Sequence, residues 1–147
     1  GFLHGHTYAG NPLACAAGLA VIKEITDKRL AENALIQGEK LRENLEKLKN
    51  QYSLIGDVRG KGLLMAFELV ADRETMEPLP SSAEAHMHLV EEAYKRGLII
   101  YSRRTRGGTI GDHFMICPPL IIEEKQIDEI CEILKDSLDA MIKKMNL

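Results

Sequence analysis

The sequence predicts an α+β domain, a mainly antiparallel sheet with helices packed on one face, preceded by a long apolar helix. Three observations point there. Short apolar runs bounded by Gly and Pro recur between residues 52 and 117, the signature of strands joined by turns. Helical periodicity appears before, between and after them. From residue 52 onward the elements follow the order strand, strand, helix, strand, strand, helix.

Residues 1–10 are rich in Gly, His and Thr and read as a loop. Asn11-Pro12 then starts a helix, because Asn can cap and Pro suits the first helical position. The run from Leu13 to Ile22 is apolar nearly all round and built mostly of small residues. Such a helix needs burial on every side, which a small isolated domain cannot offer, so part of the protein is expected to be missing. From Leu30 to Lys49 the pattern turns amphipathic, with Leu30, Ala34, Leu41, Leu45 and Leu48 at helical spacing.

Tyr52 to Val58 reads as a short strand, Arg59–Gly62 as a turn and Leu63–Val70 as a strongly apolar strand. Pro78, Pro80, Ser81 and Ser82 mark a loop and cap a helix over 81–96 that stops at Gly97. Leu98–Tyr101 reads as a strand, Ser102–Gly111 as a polar loop rich in Arg and Gly, and His113–Cys117 as a strand ended by Pro118-Pro119. The last helix is the clearest, with Ile127, Ile130, Cys131, Leu134, Leu138, Met141, Ile142 and Met145 forming one apolar stripe.

Composition narrows the function. The 147 residues are 45% hydrophobic and 28% charged, with 19 basic and 22 acidic side chains and a formal net charge of -3. That balance gives no reason to expect nucleic acid or an anionic membrane as a partner. The lack of Trp and the 5% aromatic content remove the stacking platform that single-stranded nucleic acid would use. No apolar run is long enough to span a bilayer. Cys15, Cys117 and Cys131 are scattered among apolar neighbours without metal-ligand spacing, as expected of reduced, buried thiols in a cytoplasmic protein. His4 and His6 have no third ligand nearby, too little for zinc, so no metal site is expected. The chain starts Gly-Phe-Leu-His, with no Met and no signal-peptide pattern, and so reads as cut from a longer protein.

The segment Phe2–Ala20, with its His4-Gly-His-Thr-Tyr-Ala-Gly-Asn-Pro12 core, closely resembles the class III aminotransferases, pyridoxal-phosphate enzymes of fold type I. Two further stretches agree in order and spacing: Val58-Arg-Gly-Lys-Gly-Leu63 with Phe67-Glu-Leu69, and Gly111-Asp-His113 with Pro118–Ile122 and Ile127-Asp128. Three ordered matches make chance an unlikely source.

The resemblance implies that residues 1–30 end the large cofactor-binding domain and form the connecting helix, and that 31–147 are the small C-terminal domain. It implies pyridoxal 5'-phosphate as cofactor and a homodimer whose active sites are shared. Thr7 would reach the phosphate bound by the neighbouring subunit, with Tyr8 beside it as a second cofactor-facing residue. Locally, a loop hydroxyl feeding straight into a helix is a reasonable phosphate ligand, although a turn cap would look the same.

The catalytic lysine and the carboxylate beside the pyridine nitrogen are implied to lie upstream of Gly1. Lys23, Lys28, Lys40, Lys47 and Lys49 lack the lysine context of the family and read as solvated surface, so the isolated chain is expected to be inert.

The substrates implied are an amine or omega-amino acid and a keto acid such as pyruvate. Ornithine- and aminobutyrate-type members carry an Arg three residues before the Pro-Pro pair, where Met115 stands here. The segment Arg103–Arg106 is therefore the candidate for binding a substrate carboxylate, with Arg104 and Arg106 preferred; a solvated basic turn is the competing explanation. Two alternatives stay open: a class III racemase or aminomutase on the same scaffold, and a stand-alone α+β binding module without chemistry.

Overall fold

The computed structural model describes residues 1–146. Helix α1 (Pro12–Asp27) is followed by α2 (Leu30–Gln51), β1 (Ile55–Lys61), β2 (Leu64–Leu69), a 3-10 turn (Ser81–Ala83), α3 (Ala85–Lys95), β3 (Tyr101–Arg106), β4 (Ile110–Ile116) and α4 (Glu124–Met145). The four strands form one antiparallel sheet in the order β1-β2-β4-β3. The α+β class expected from the sequence is what forms.

One face of the sheet is apolar and carries the helices. Val58, Met65, Phe67, Leu69, Phe114 and Ile116 are buried there, and Phe67 stacks on Phe114 across the β2–β4 pair with ring centroids 5.0 Å apart. Alternation along each strand puts Asp57, Arg59, Glu68, His113, Met115, Tyr101 and Arg103 on the opposite, open face.

Helix α4 lays Ile127, Cys131, Leu134, Leu138 and Met141 into the core. Its start is fixed by a reciprocal capping box between Glu123 and Gln126. Helix α2 buries Leu30, Leu41, Leu45 and Leu48 on the same side. At Gly38 it touches the β1–β2 turn so closely that a Cβ would sit 2.3 Å from the Gly62 carbonyl carbon.

Helix α1 behaves differently. Asn11 caps it, its Oδ1 accepting from the Ala14 N–H at 3.1 Å, with Pro12 in the first turn, but the helix buries none of its residues. Leu13, Leu19, Val21 and Ile22 are exposed, as the all-round apolar pattern predicts for a helix meant to be covered from several sides.

Several boundaries differ from the sequence expectation. The first strand runs through Arg59, Gly60 and Lys61, and the turn shrinks to Gly62–Leu63. Gly60 serves close packing there, since a Cβ would lie 2.2 Å from the Leu64 carbonyl oxygen. The helix expected over 81–96 is split, with Glu84 at φ 45° between the 3-10 turn and α3. The strand expected at Leu98–Tyr101 begins only at Tyr101. The expected loop 102–111 is instead a hairpin, with β3 through Arg106 and only residues 107–109 turning. A charged strand is stable here because β3 is the edge strand and one of its faces is open. Cys131 is buried as expected, but Cys15 and Cys117 are exposed.

Candidate functional site

Two groups of residues singled out by the sequence lie on different elements. Thr7 and Tyr8 belong to the turn that feeds α1. There the Ala9 N–H donates to the His6 carbonyl and the Asn11 N–H to the Tyr8 carbonyl, both at 3.0 Å. Gly10, at φ 75°, lets the chain reverse into the cap. Thr7 and Tyr8 are both exposed. Ahead of them, the His4 ring stacks on Phe2 and meets His6 edge-on with centroids 4.7 Å apart. Among the described residues, no group of three or more His, Cys, Asp or Glu is gathered closely enough to hold a metal ion.

The second group is the β3–β4 hairpin. Asp112 is buried, and its Oδ1 accepts from Arg104 Nε at 3.3 Å. Arg104 Nη2 also donates to the Ser81 carbonyl at 2.7 Å. His86 Nδ1 lies 3.2 Å from the same Asp112 oxygen without forming a hydrogen bond. Arg106 Nη2 donates to the Met76 carbonyl at 3.2 Å. These contacts tie the hairpin to the segment before α3. Arg104 and Arg106 are thus bound to protein groups, while Arg103 lies on the other face of the strand, opposite His113.

On the open face Arg59 Nη1 bridges Asp57 at 2.7 Å and Glu68 at 3.0 Å, and the bond to Asp57 is the main cause that raises its pKa further. Met115, in the next row, sits between Ala66 and Tyr101. Arg59, Lys61, Leu64, Ala66, His113 and Met115 line a shallow depression on this face.

Sequence reasoning marked Asp112 and His113 only as parts of a motif. The contact of Asp112 with Arg104 needed the strand register to be known. No hydrogen bond or ion pair among the described residues joins the Thr7 turn to the hairpin, so each presents its own surface.

A model of the family described as "Aminotransferase class-III" matches residues 1–138. The mitochondrial alanine–glyoxylate aminotransferase 2 homolog 2 of Arabidopsis thaliana is 37% identical over 136 residues, 92% of this chain and 27% of its own length. A leucine/methionine racemase of Thermococcus litoralis is 43% identical over 126 residues, 86% of this chain and 26% of its own length. An amine transaminase from an uncultivated Pseudomonas species, solved in a PLP-bound form, superposes with a TM-score of 0.84 at 33% identity, covering 95% of this chain and 30% of that one. The chain thus spans about a quarter to a third of the length of the proteins it matches. No helix among the described residues is long and apolar enough to cross a membrane.

Proposed function

Because the chain belongs to the class III aminotransferase family, we propose that the intact protein is a pyridoxal-phosphate-dependent aminotransferase. It moves an amino group between an amine or omega-amino acid and a keto acid such as pyruvate. The observation that carries this is the family match across residues 1–138, which includes both the Thr7 turn and the hairpin.

In this proposal residues 1–30 close the large domain and connect it to the small domain, 31–147. The support is that α1 buries none of its residues in this chain, whereas α2 buries a full face. The chain breaks between them at Arg29, at φ 50°. The uncovered apolar α1 is then seated against the remainder of the protein and its dimer partner.

The Thr7 turn fits a phosphate. Thr7 carries an exposed hydroxyl in the turn that leads into a 16-residue helix, and at a helix N-terminus backbone N–H groups and the helix dipole favour an anion. Thr7 would hold the cofactor phosphate bound by the neighbouring subunit, and Tyr8 would be a second cofactor-binding residue. When bound, pyridoxal phosphate supplies the electron sink for the carbon that carries the amine. The attachment lysine lies outside residues 1–147, so this chain contributes positioning and substrate recognition. An arginine of the β3–β4 hairpin meets the carboxylate of the acid substrate, and Arg104 and Arg106 are the candidates the sequence offers. Three free thiols suit a reducing compartment, and the cytoplasm is our placement.

The racemase relative favours one second possibility, that the same scaffold returns a proton to its substrate in place of exchanging amino groups. Omitting the keto acid separates the two. An aminotransferase stops after one equivalent of donor, whereas a racemase continues.

A further inference from the structure

Nothing in the sequence between Gly18 and Gly38 dictates a helix break, since the stretch holds no Gly and no Pro. The chain nevertheless turns there. Helix α1 ends at Asp27, α2 starts at Leu30, and Arg29 between them is left-handed, at φ 50° and ψ 44°. That conformation is uncommon for any residue but glycine, so local preference does not account for it.

Every hydrogen bond and ion pair that crosses this joint involves Arg29. Its N–H donates to the Thr26 carbonyl at 3.2 Å, and its own carbonyl accepts from Glu32 at 3.0 Å and Asn33 at 3.1 Å. Its guanidinium forms an exposed ion pair with Glu32. Among the described residues, no hydrogen bond or ion pair joins residues 1–28 directly to residues 30–146. The N–H groups of Leu30 and Ala31 find no backbone acceptor, and no side chain caps them, so the first turn of α2 adds no grip on α1.

We propose that Arg29 is the pivot between the two domains: its left-handed backbone sets the angle at which the small domain is carried, and rotation about it absorbs that domain's movement. The pivot rests on the domain division and the amino-transfer function given above. Arg29 touches no substrate in this scheme and acts by placing the small domain. Hinges concentrate φ/ψ change in a few residues at the ends of elements, and residue 29 is where the fewest bonds must yield.

The test compares two substitutions that both remove the guanidinium, in the intact enzyme loaded with pyridoxal phosphate. Glycine enters the left-handed region freely, whereas a β-branched residue there is a steric outlier. Arg29→Gly should keep kcat within about twofold, while Arg29→Val lowers it about ten- to a hundred-fold by misplacing the small domain.

Hydrogen exchange in the resting enzyme reads the joint without turnover. In Arg29→Val the joint leaves the left-handed region, so the Leu30 and Ala31 amides gain the Thr26 and Asp27 carbonyls and exchange about tenfold more slowly. In Arg29→Gly they exchange as before. In the unmodified enzyme turning over an amine and pyruvate, exchange at Glu32 and Asn33 should change about threefold, with Leu41–Leu48 constant. Equal losses of kcat in both variants would assign the effect to the ion pair with Glu32, and equal activity would show that the bend positions nothing. Either result overturns the pivot, as does unchanged exchange at Leu30 and Ala31 in Arg29→Val, or exchange at Glu32 and Asn33 that ignores turnover. An unmodified enzyme that transfers no amino group to any keto acid would overturn the aminotransferase function instead, and resting-state exchange would then decide the pivot alone.

Discussion

Arg104 Nε lies 3.3 Å from Asp112 Oδ1 across the β3–β4 ladder, and Asp112 is only 2% exposed. A carboxylate this deep depends on its partner, because removing one member of a buried pair leaves an uncompensated charge. Arg104→Ala should therefore destabilise the protein by about 3 kcal/mol. The double substitution Arg104→Met with Asp112→Leu should recover much of that loss, which thermal or denaturant melting of the single and double variants would register. Equal losses in both would mean that Asp112 does not need Arg104.

Gly38→Ala adds one methyl group where α2 meets the Gly62 backbone, at a separation of 2.3 Å from the carbonyl carbon. Backbone cannot swing aside as a flexible side chain can, so the helix must shift away from the hairpin. We expect a loss of about 1–3 kcal/mol, read as a lower melting temperature. An unchanged melting temperature would show that α2 does not rest on the turn as described.

The α+β class, helix α2 and the α4 stripe Ile127–Met141 were legible in the sequence because periodicity and burial agree there, and α1 was legible from its Asn11-Pro12 start although it buries none of its residues. The second strand of the hairpin was read at His113–Cys117, but its first strand, β3, was not. It reads Tyr-Ser-Arg-Arg-Thr-Arg, a composition that resembles a loop until one knows that it is an edge strand with one face open. The same gap hid the division of its arginines. Parity requires a register, and the register follows from pairings such as Arg103 with His113, which no local pattern contains. Exposure of Cys15 and Cys117 escaped for a related reason, since apolar neighbours in sequence do not fix which face of an element a thiol occupies.

Glu92, almost buried on α3, accepts from Arg96 at 2.8 Å and from Lys95 at 2.9 Å. Arg96 first, and Lys95 second, lower its carboxyl from an ordinary 4.5 to about 2. A carboxyl depressed on folding adds stability that is fully present above its unfolded pKa and is lost as pH falls through the folded one. Glu92→Gln should cost about 1 kcal/mol near neutral pH. The gap from wild type should narrow as pH drops from 4.5 toward 2, which melting curves over that window would show. A gap constant with pH would remove the charge from the explanation.

Thr7→Val in the intact enzyme keeps the shape of the side chain and removes its hydroxyl. If that hydroxyl donates to the cofactor phosphate, affinity for pyridoxal phosphate should fall about ten- to a hundred-fold, measured by cofactor dissociation during dialysis. In mixed dimers the defect should appear in the active site of the subunit that carries the unaltered chain. Unchanged cofactor retention would leave Thr7 as a turn residue.

The most direct measurement follows the nitrogen itself. The intact enzyme is supplied with pyridoxal phosphate, a nitrogen-15-labelled amine and unlabelled pyruvate, and the alanine formed is examined by mass spectrometry. An aminotransferase gives labelled alanine in amounts equal to the donor consumed, with no turnover beyond one equivalent when pyruvate is withheld. Inversion of an amino acid's configuration without a keto acid, with the label retained on its original carbon skeleton, would contradict it.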